Sequence, residues 1–220
     1  MGVPALKVRN GLSEQTGPRA VEVRALTFGY DRQLIFDNFN FATDARSTVV
    51  RGPSGCGKTT LLKLIDGFLR ASPPAYIERP EPVFLVLQAD GLAPWLTGRG
   101  NIELFSKELW AKVRASPLFA VIEQFAERPA HTLSFGQRRS IELVRALVSG
   151  YPLLLLDEPL NFLDHERRAT FLAHMSDPNL CPSRVIMTSH YEEGDTSWAA
   201  DVFEFIGDPP YGELVPKDAR

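Results

Sequence analysis

Residues 51–60 read RGPSGCGKTT, with glycines at 52, 55 and 57 directly ahead of Lys58, Thr59 and Thr60. Glycine lets consecutive backbone N–H groups turn toward one point, a conformation that side chains obstruct. Amides gathered in this way, with a helix N-terminus behind them, cradle phosphate oxygens. The spacing is G-x-x-x-x-G-K-[ST], in which the lysine reaches the outer phosphates and the first hydroxyl serves Mg²⁺. Average residue frequencies return this pattern by chance in about one chain in a hundred of this length, so the flanks have to support it. STVVRG (47–52) ahead of it is a short β-branched run, and Leu61, Leu62, Ile65, Phe68 and Leu69 behind it recur at helical spacing over 58–69. Strand, glycine loop and helix therefore follow one another. Gly52, Pro53, Ser54, Gly55, Cys56, Gly57, Lys58, Thr59 and Thr60 become the candidate phosphate-binding residues. With Cys56 inside the loop, alkylation there is expected to block nucleotide binding.

A second feature lies a hundred residues on. PLLLLDEP (152–159) reads as a fully buried strand that ends in Asp157 and Glu158. A lone buried carboxylate costs several kcal/mol unless it is paired or holds a metal. Beside a phosphate loop, Asp157 reads as an Mg²⁺ contact and Glu158 as the group that polarises a water for attack on the outer phosphate. The plainer alternative is an acidic pair facing solvent.

The rest of the chain supplies a frame for these two features. AVEVRALTF (20–28) and LIFDNFNFA (34–42) alternate apolar and polar residues around a turn-like GYDRQ. VFLVL (83–87), RVIMTSH (184–190) and DVFEFI (201–206) read as further strands. Residues 98–128 look largely helical with Pro117 as an interruption. LSFGQRRSIELVRALVSG (133–150) is a helix, with Ser134 and Gln137 as a capping box and Gly150 able to end it. The four-proline stretch 71–82 reads as a connector. Short apolar strands alternating with helices predict an α/β fold whose parallel sheet is covered on both faces. Residues 1–18, polar and glycine-rich, read as a flexible tail, and 19–220 as one domain.

Composition narrows the function classes. The 220 residues are 44% hydrophobic and 23% charged, ordinary for a soluble globular protein. A net charge of -3 disfavours a nucleic-acid binder working by phosphate neutralisation. Two cysteines suit a reducing cytosol rather than a disulfide framework. No secretory leader is visible, and the run at 153–156 is far too short to span a bilayer. Work at a membrane would need another chain as anchor.

With these motifs in order, the chain resembles the ATP-binding cassette (ABC) ATPases. LSFGQ (133–137) looks like the family signature, upstream of the carboxylate strand. Gln88, after VFLVL, matches the Q-loop glutamine. LNFLD (160–164) matches the D-loop, with Asp164 in its acidic position, and His190 matches the H-loop histidine. Tyr30 occupies the place of the aromatic that stacks on adenine. The resemblance implies a P-loop NTPase core with a mainly parallel sheet, an N-terminal antiparallel β-subdomain and an inserted α-helical subdomain at about 90–148. It implies catalytic roles for Glu158, His190 and Gln88, and Mg²⁺ contacts from Thr59, Gln88 and Asp157. It also implies that Ser134, Gly136, Gln137 and Asp164 serve the ATP of a second copy facing head to tail. Each of these residues has a plainer reading: a turn aromatic for Tyr30, a polar loop residue for Gln88, a core histidine for His190, a helix cap for Ser134.

LAPWLTGRGNIEL (92–104) is similar to the matching stretch of importer ATPases for nitrate, sulfonate, taurine and thiamine precursors. That likeness implies a membrane permease docked near Trp95, an extracytoplasmic substrate-binding protein, and a peripheral place at the cytoplasmic face of the inner membrane. Departures from the family pattern are Phe135 in place of glycine, Ser140 in place of arginine, and Tyr191 after His190. The rival readings are a soluble non-transport ABC ATPase and a catalytically silent module that uses ATP only to dimerise.

Overall fold

Four consecutive leucines, Leu153–Leu156, form a strand buried on both sides. Leu154 and Leu156 pack into one hydrophobic cluster and Leu153 and Leu155 into the other. This alternation is the period of two that a strand imposes on its side chains, and it makes the strand the partition between two cores. In the computed structural model, which describes residues 21–31, 33–190 and 196–217, the strand is β6 of a six-stranded sheet. The order is β10 (Val215–Lys217), β8 (Asp201–Glu204), β3 (Ser47–Arg51), β7 (Arg184–Ser189), β6, β5 (Val83–Val86). All neighbours are parallel except β10, which runs antiparallel to β8.

A second sheet of four strands covers one core. Its order is β4 (Tyr76–Glu78), β1 (Val21–Tyr30), β2 (Gln33–Thr43), β9 (Tyr211–Glu213). Phe36, Phe39 and Phe41 all face inward from β2, although Phe36 and Phe39 are three residues apart. The register slips between Leu26 and Phe28 opposite, and Asn38 takes a φ of 47°. A bulge of this kind inserts one residue and re-aims the side chains after it. The Phe36 and Phe39 rings then meet at 4.7 Å, with Phe205 beyond them.

Helix α1 (Lys58–Asp66) sits in the core between the two sheets. Helices α2 (Gly98–Glu103), α3 (Glu108–Arg114), α4 (Leu118–Ile122) and α5 (Phe135–Val148) share the opposite core, with α6 (His165–Ser176) beside them. Pro117 is the N-cap of α4, so the helical reading of 98–128 resolves into three short helices.

Several expectations change. The helix read over 58–69 stops at Asp66, because Gly67 takes a left-handed φ of 91° and returns its N–H to Lys63 and Leu64. Phe68 therefore lies beyond it, exposed over Lys63. The 71–82 connector contains β4, an edge strand on β1. Gly29, Tyr30 and Gln33 of the turn-like stretch belong to strands, with Tyr30 paired to Gln33. Helix α6 and the last two strands had no sequence counterpart in our reading. The flexible tail and Tyr191 lie outside the described residues.

Candidate functional site

β3 ends at Arg51, the loop 52–57 follows, and α1 begins at Lys58. Gly57 caps the helix at φ 103°, and a Cβ there would lie 2.7 Å from Ile35. The loop therefore needs glycine at this point for both its backbone and its neighbour. Lys58 folds back over the loop, and its ammonium donates to Gly52 O at 2.8 Å and Pro53 O at 3.0 Å. Its Nζ lies 3.7 Å from Glu158 Oε1.

The carboxylate end of β6 meets this loop. Asp157, only 1% exposed, has both oxygens engaged. The Thr59 hydroxyl donates to Oδ2 at 2.7 Å and the Thr188 hydroxyl to Oδ1 at 2.7 Å. Glu158 turns the chain with a φ of 45°, and its N–H donates to Thr188 Oγ1 at 2.9 Å. A non-glycine residue held in that region stores about 1–3 kcal/mol of strain, here at the carboxylate the sequence singled out. His190 Nε2 lies 2.9 Å from Glu158 Oε1. On the other oxygen, Asn161 Nδ2 donates to Oε2 at 2.9 Å and Gln88 Nε2 at 3.4 Å.

The structure thus brings Lys58, Thr59, Gln88, Asp157, Glu158 and His190 into one cluster. Mg²⁺ fits the oxygens offered there: a hydroxyl, a carboxylate and a side-chain amide suit a hard cation, and Thr59 already touches Asp157. Tyr30 stands at the margin, partly exposed, with its hydroxyl 3.5 Å from Thr60 Oγ1 and its ring edge-on to Phe28 at 5.2 Å. Gly55, Ser54 and Pro53 complete the loop rim.

Cys56 corrects the sequence reading. Its thiol is buried in the core beneath the loop, and burial pushes its pKa up. With the side chain 3% exposed, it is the backbone of Cys56 that belongs to the loop surface.

The signature residues form a separate group. The Ser134 hydroxyl accepts from Gln137 N at 3.2 Å while Gln137 Oε1 accepts from Ser134 N at 3.0 Å, the reciprocal cap the sequence predicted. A Cβ on Gly136 would lie 2.5 Å from Phe162 O, so only glycine lets the 160–164 loop lie this close. Phe135 packs edge-on against Phe162 at 4.6 Å. Asp164 caps α6, accepting from Arg167 N at 2.9 Å. Among the described residues no hydrogen bond or ion pair links Ser134, Gly136, Gln137 or Asp164 to residues 52–60.

The Trp95 segment is a rigid platform. Asn101, fully buried, accepts from Ala93 N at 2.7 Å and donates to Ala93 O and Thr97 O, each at 3.0 Å. The Thr97 hydroxyl caps α2 by accepting from Gly100 N at 2.9 Å. Trp95 projects from this platform 76% exposed, and Leu104 and Phe105 are exposed as well.

Three residues at the site were not read from sequence: Thr188, Asn161 and Arg139. Thr188 did leave a trace, as a buried hydroxyl directly after the apolar VIM run of β7.

Comparison with known proteins decides the family. Residues 36–161 match the family profile described as ABC transporter. The chain belongs to that family. It is 34% identical over 166 residues to a spermidine/putrescine import ATP-binding protein of Mannheimia succiniciproducens, covering 67% of this chain and 44% of the relative. It is 37% identical over 126 residues to a cytochrome c biogenesis ATP-binding export protein of Paracoccus denitrificans, covering 57% of this chain and 60% of the relative. The chain thus spans less than two thirds of either relative's length. In fold it superposes on a dimeric ATP-binding cassette bound to ADP and phosphate with a TM-score of 0.72, at 20% identity, covering 91% of this chain and 99% of that one. The α/β P-loop architecture is that of the ABC ATPases, with a mainly parallel sheet and a second, mostly antiparallel one. No helix among the described residues is long and apolar enough to cross a membrane.

Proposed function

We propose that this chain binds and hydrolyses ATP as the nucleotide-binding subunit of a transporter, working as a head-to-tail dimer with a separate permease. One observation carries this reading: Thr59 of the phosphate loop and Asp157 of the distant strand are already hydrogen-bonded, with Glu158, Gln88 and His190 gathered beside them.

The residues divide the work as follows. Loop amides 52–60 and Lys58 bind the triphosphate, and Lys58 exchanges its bonds to Gly52 O and Pro53 O for phosphate oxygens. Thr59, Asp157 and Gln88 hold Mg²⁺, which supplies charge neutralisation at the phosphates when bound. Glu158 accepts the proton of the attacking water. His190 orients Glu158 through Oε1 while Gln88 and Asn161 hold Oε2. Tyr30 stacks on the adenine. Ser134, Gly136, Gln137 and Asp164 act on the second copy's nucleotide, with the α5 N-terminus favouring its anionic end. On this reading the chain consists of one domain over 19–220, with its helical subdomain at about 90–148.

The exposed Trp95 on its pinned platform is the docking point for the permease. An aromatic side chain on a rigid support is the kind of anchor that dominates binding energy. The similarity to a spermidine/putrescine import ATP-binding protein favours import, and the LAPWLTGRGNIEL stretch by itself favours the nitrate, sulfonate and taurine subgroup, with an extracytoplasmic binding protein supplying solute. The chain would then sit peripherally at the cytoplasmic face of the inner membrane. A second reading, export, is favoured by the likeness to a cytochrome c biogenesis export protein. Co-purification from native membranes tests both. A permease paired with a binding protein supports import, a permease without one supports export, and recovery of no membrane protein overturns the transporter reading.

A further inference from the structure

Arg139 is 2% exposed, yet it carries a guanidinium. Its Nη1 donates to Leu87 O at 2.6 Å and its Nε to Pro159 O at 3.2 Å, while its Nη2 donates to Asp157 O. Nη1 also meets Glu142 Oε2 at 3.2 Å. Leu87 is the residue before Gln88, and Asp157 and Pro159 stand on either side of Glu158. One planar group therefore fixes the backbone at the entry to Gln88 and on both flanks of Glu158.

The same helix grips the far end of the Q-loop. Glu142 Oε1 accepts the Gly91 N–H, and Arg145 Nη2 donates to Gly91 O at 3.3 Å. Arg138 Nε meets Asp90 Oδ2 at 2.6 Å. Residues 87–91 are thus held at both ends by side chains from the first three turns of α5, the helix that begins at the signature. Gln88 lies within this span, and its amide reaches Glu158 Oε2 at 3.4 Å.

We propose that Arg139, braced by Glu142, is a positioning residue for ATP hydrolysis: it sets the placement of Gln88 relative to Glu158 and links both to the signature helix. The proposal rests on the catalytic reading of Glu158 and Gln88 above. A buried ion pair contributes little net stability, so packing alone does not account for Arg139 and Glu142. Three carbonyls aimed at one fork do. Lysine, with a single ammonium on a flexible stem, cannot serve acceptors spread over two strand ends and a loop.

The test uses the full chain and four variants, Arg139→Lys, Glu142→Gln, Glu158→Gln and Phe171→Leu, the last a core change away from the site. Steady-state ATPase kinetics, ATP affinity and thermal unfolding are measured for each. Arg139→Lys is expected to lower kcat by about 10- to 100-fold while KM and ATP affinity move less than about threefold. Glu142→Gln, which keeps an acceptor for Gly91 N–H, should lower kcat in the same sense by less, and it stands in should the lysine variant fail to fold. Phe171→Leu should lower the unfolding temperature and leave kcat near wild type. Arg139→Lys or Glu142→Gln turning over at the wild-type rate, with Glu158→Gln inactive, would overturn this proposal alone. A kcat loss shared by Phe171→Leu at matched destabilisation would also overturn it. Wild-type turnover in Glu158→Gln would remove the catalytic reading and this proposal with it.

Discussion

Thr59 and Asp157 stand 98 positions apart in sequence, and the threonine hydroxyl donates to the aspartate Oδ2 across 2.7 Å. That bond joins the first turn of α1 to the residue that follows β6, so the phosphate loop and the carboxylate strand meet at one point.

Replacing Glu158 with glutamine keeps the shape of the side chain and removes the base. We expect Glu158→Gln to bind ATP with about wild-type affinity and hydrolyse it about 10²- to 10⁴-fold more slowly, and to accumulate as an ATP-bound dimer on size exclusion. Turnover equal to wild type would remove Glu158 from the mechanism.

Cys56 gives a test of the loop's underside. Its thiol is buried and its pKa is raised by that burial, so the nucleophilic thiolate is scarce. Native protein treated with iodoacetamide should show Cys56 unmodified by mass spectrometry with or without ATP, and labelled only after denaturation. Rapid labelling of the native chain would place the thiol at the surface instead.

Gly136 is the contact point between α5 and the 160–164 loop. Alanine there brings a methyl group to 2.5 Å from Phe162 O, closer than real contacts allow. Gly136→Ala should push that loop away and, through Asn161, loosen Glu158. The expected readout is at least a tenfold loss of turnover, on the order of what a displaced supporting contact costs, with ATP affinity retained. Unchanged turnover would show that the loop absorbs the methyl without moving Asn161.

His174 is buried near the end of α6 with neither ring nitrogen hydrogen-bonded, and burial lowers its pKa from the usual 6.5 despite nearby Asp177. The unfolded chain takes up a proton near that value while the folded chain resists it. The stability this difference provides is complete above 6.5 and is lost as pH falls toward the depressed folded value. Thermal unfolding from pH 8 down to 5.5 should show a steeper drop for wild type than for His174→Leu. Parallel curves would mean the imidazole is hydrated.

Trp95→Ala removes an exposed ring from a rigid support. It should shift the unfolding temperature little, as surface changes move stability by about 0.5 kcal/mol or less. Association with permease-containing membranes should weaken by about tenfold or more, the loss expected of an interface anchor. Undiminished co-sedimentation would assign the ring no part in docking.

The phosphate loop, the Asp157–Glu158 pair and the α5 cap were legible because each is set by residues adjacent in the chain. Gly57, Lys58 and Thr59 act on one another, and so do Ser134 and Gln137. Asn161, Thr188 and Arg139 were not legible, because their roles depend on which strands lie side by side. β6 runs between β5 and β7, and that order brings Thr188 to Asp157 and lets Arg139 reach Leu87 and Pro159. Phe68 was misread because helical spacing continued past Gly67, whose left-handed backbone had already ended the helix. Prolines hid β4, whose three residues fit between them. The exposure assumed for the Cys56 side chain is not what the structure shows, because sequence places a residue in a loop without saying which way its side chain leaves it.

Near the end of the described chain, β9 closes the smaller sheet against β2 and β10 extends the larger one on β8. A single buried residue, Leu214, separates the two strands. One short segment therefore zips both sheets, and neither can fray from that edge without loosening the other. Melting is thereby made cooperative across the nucleotide-facing body, which should appear in calorimetry as one endotherm rather than two.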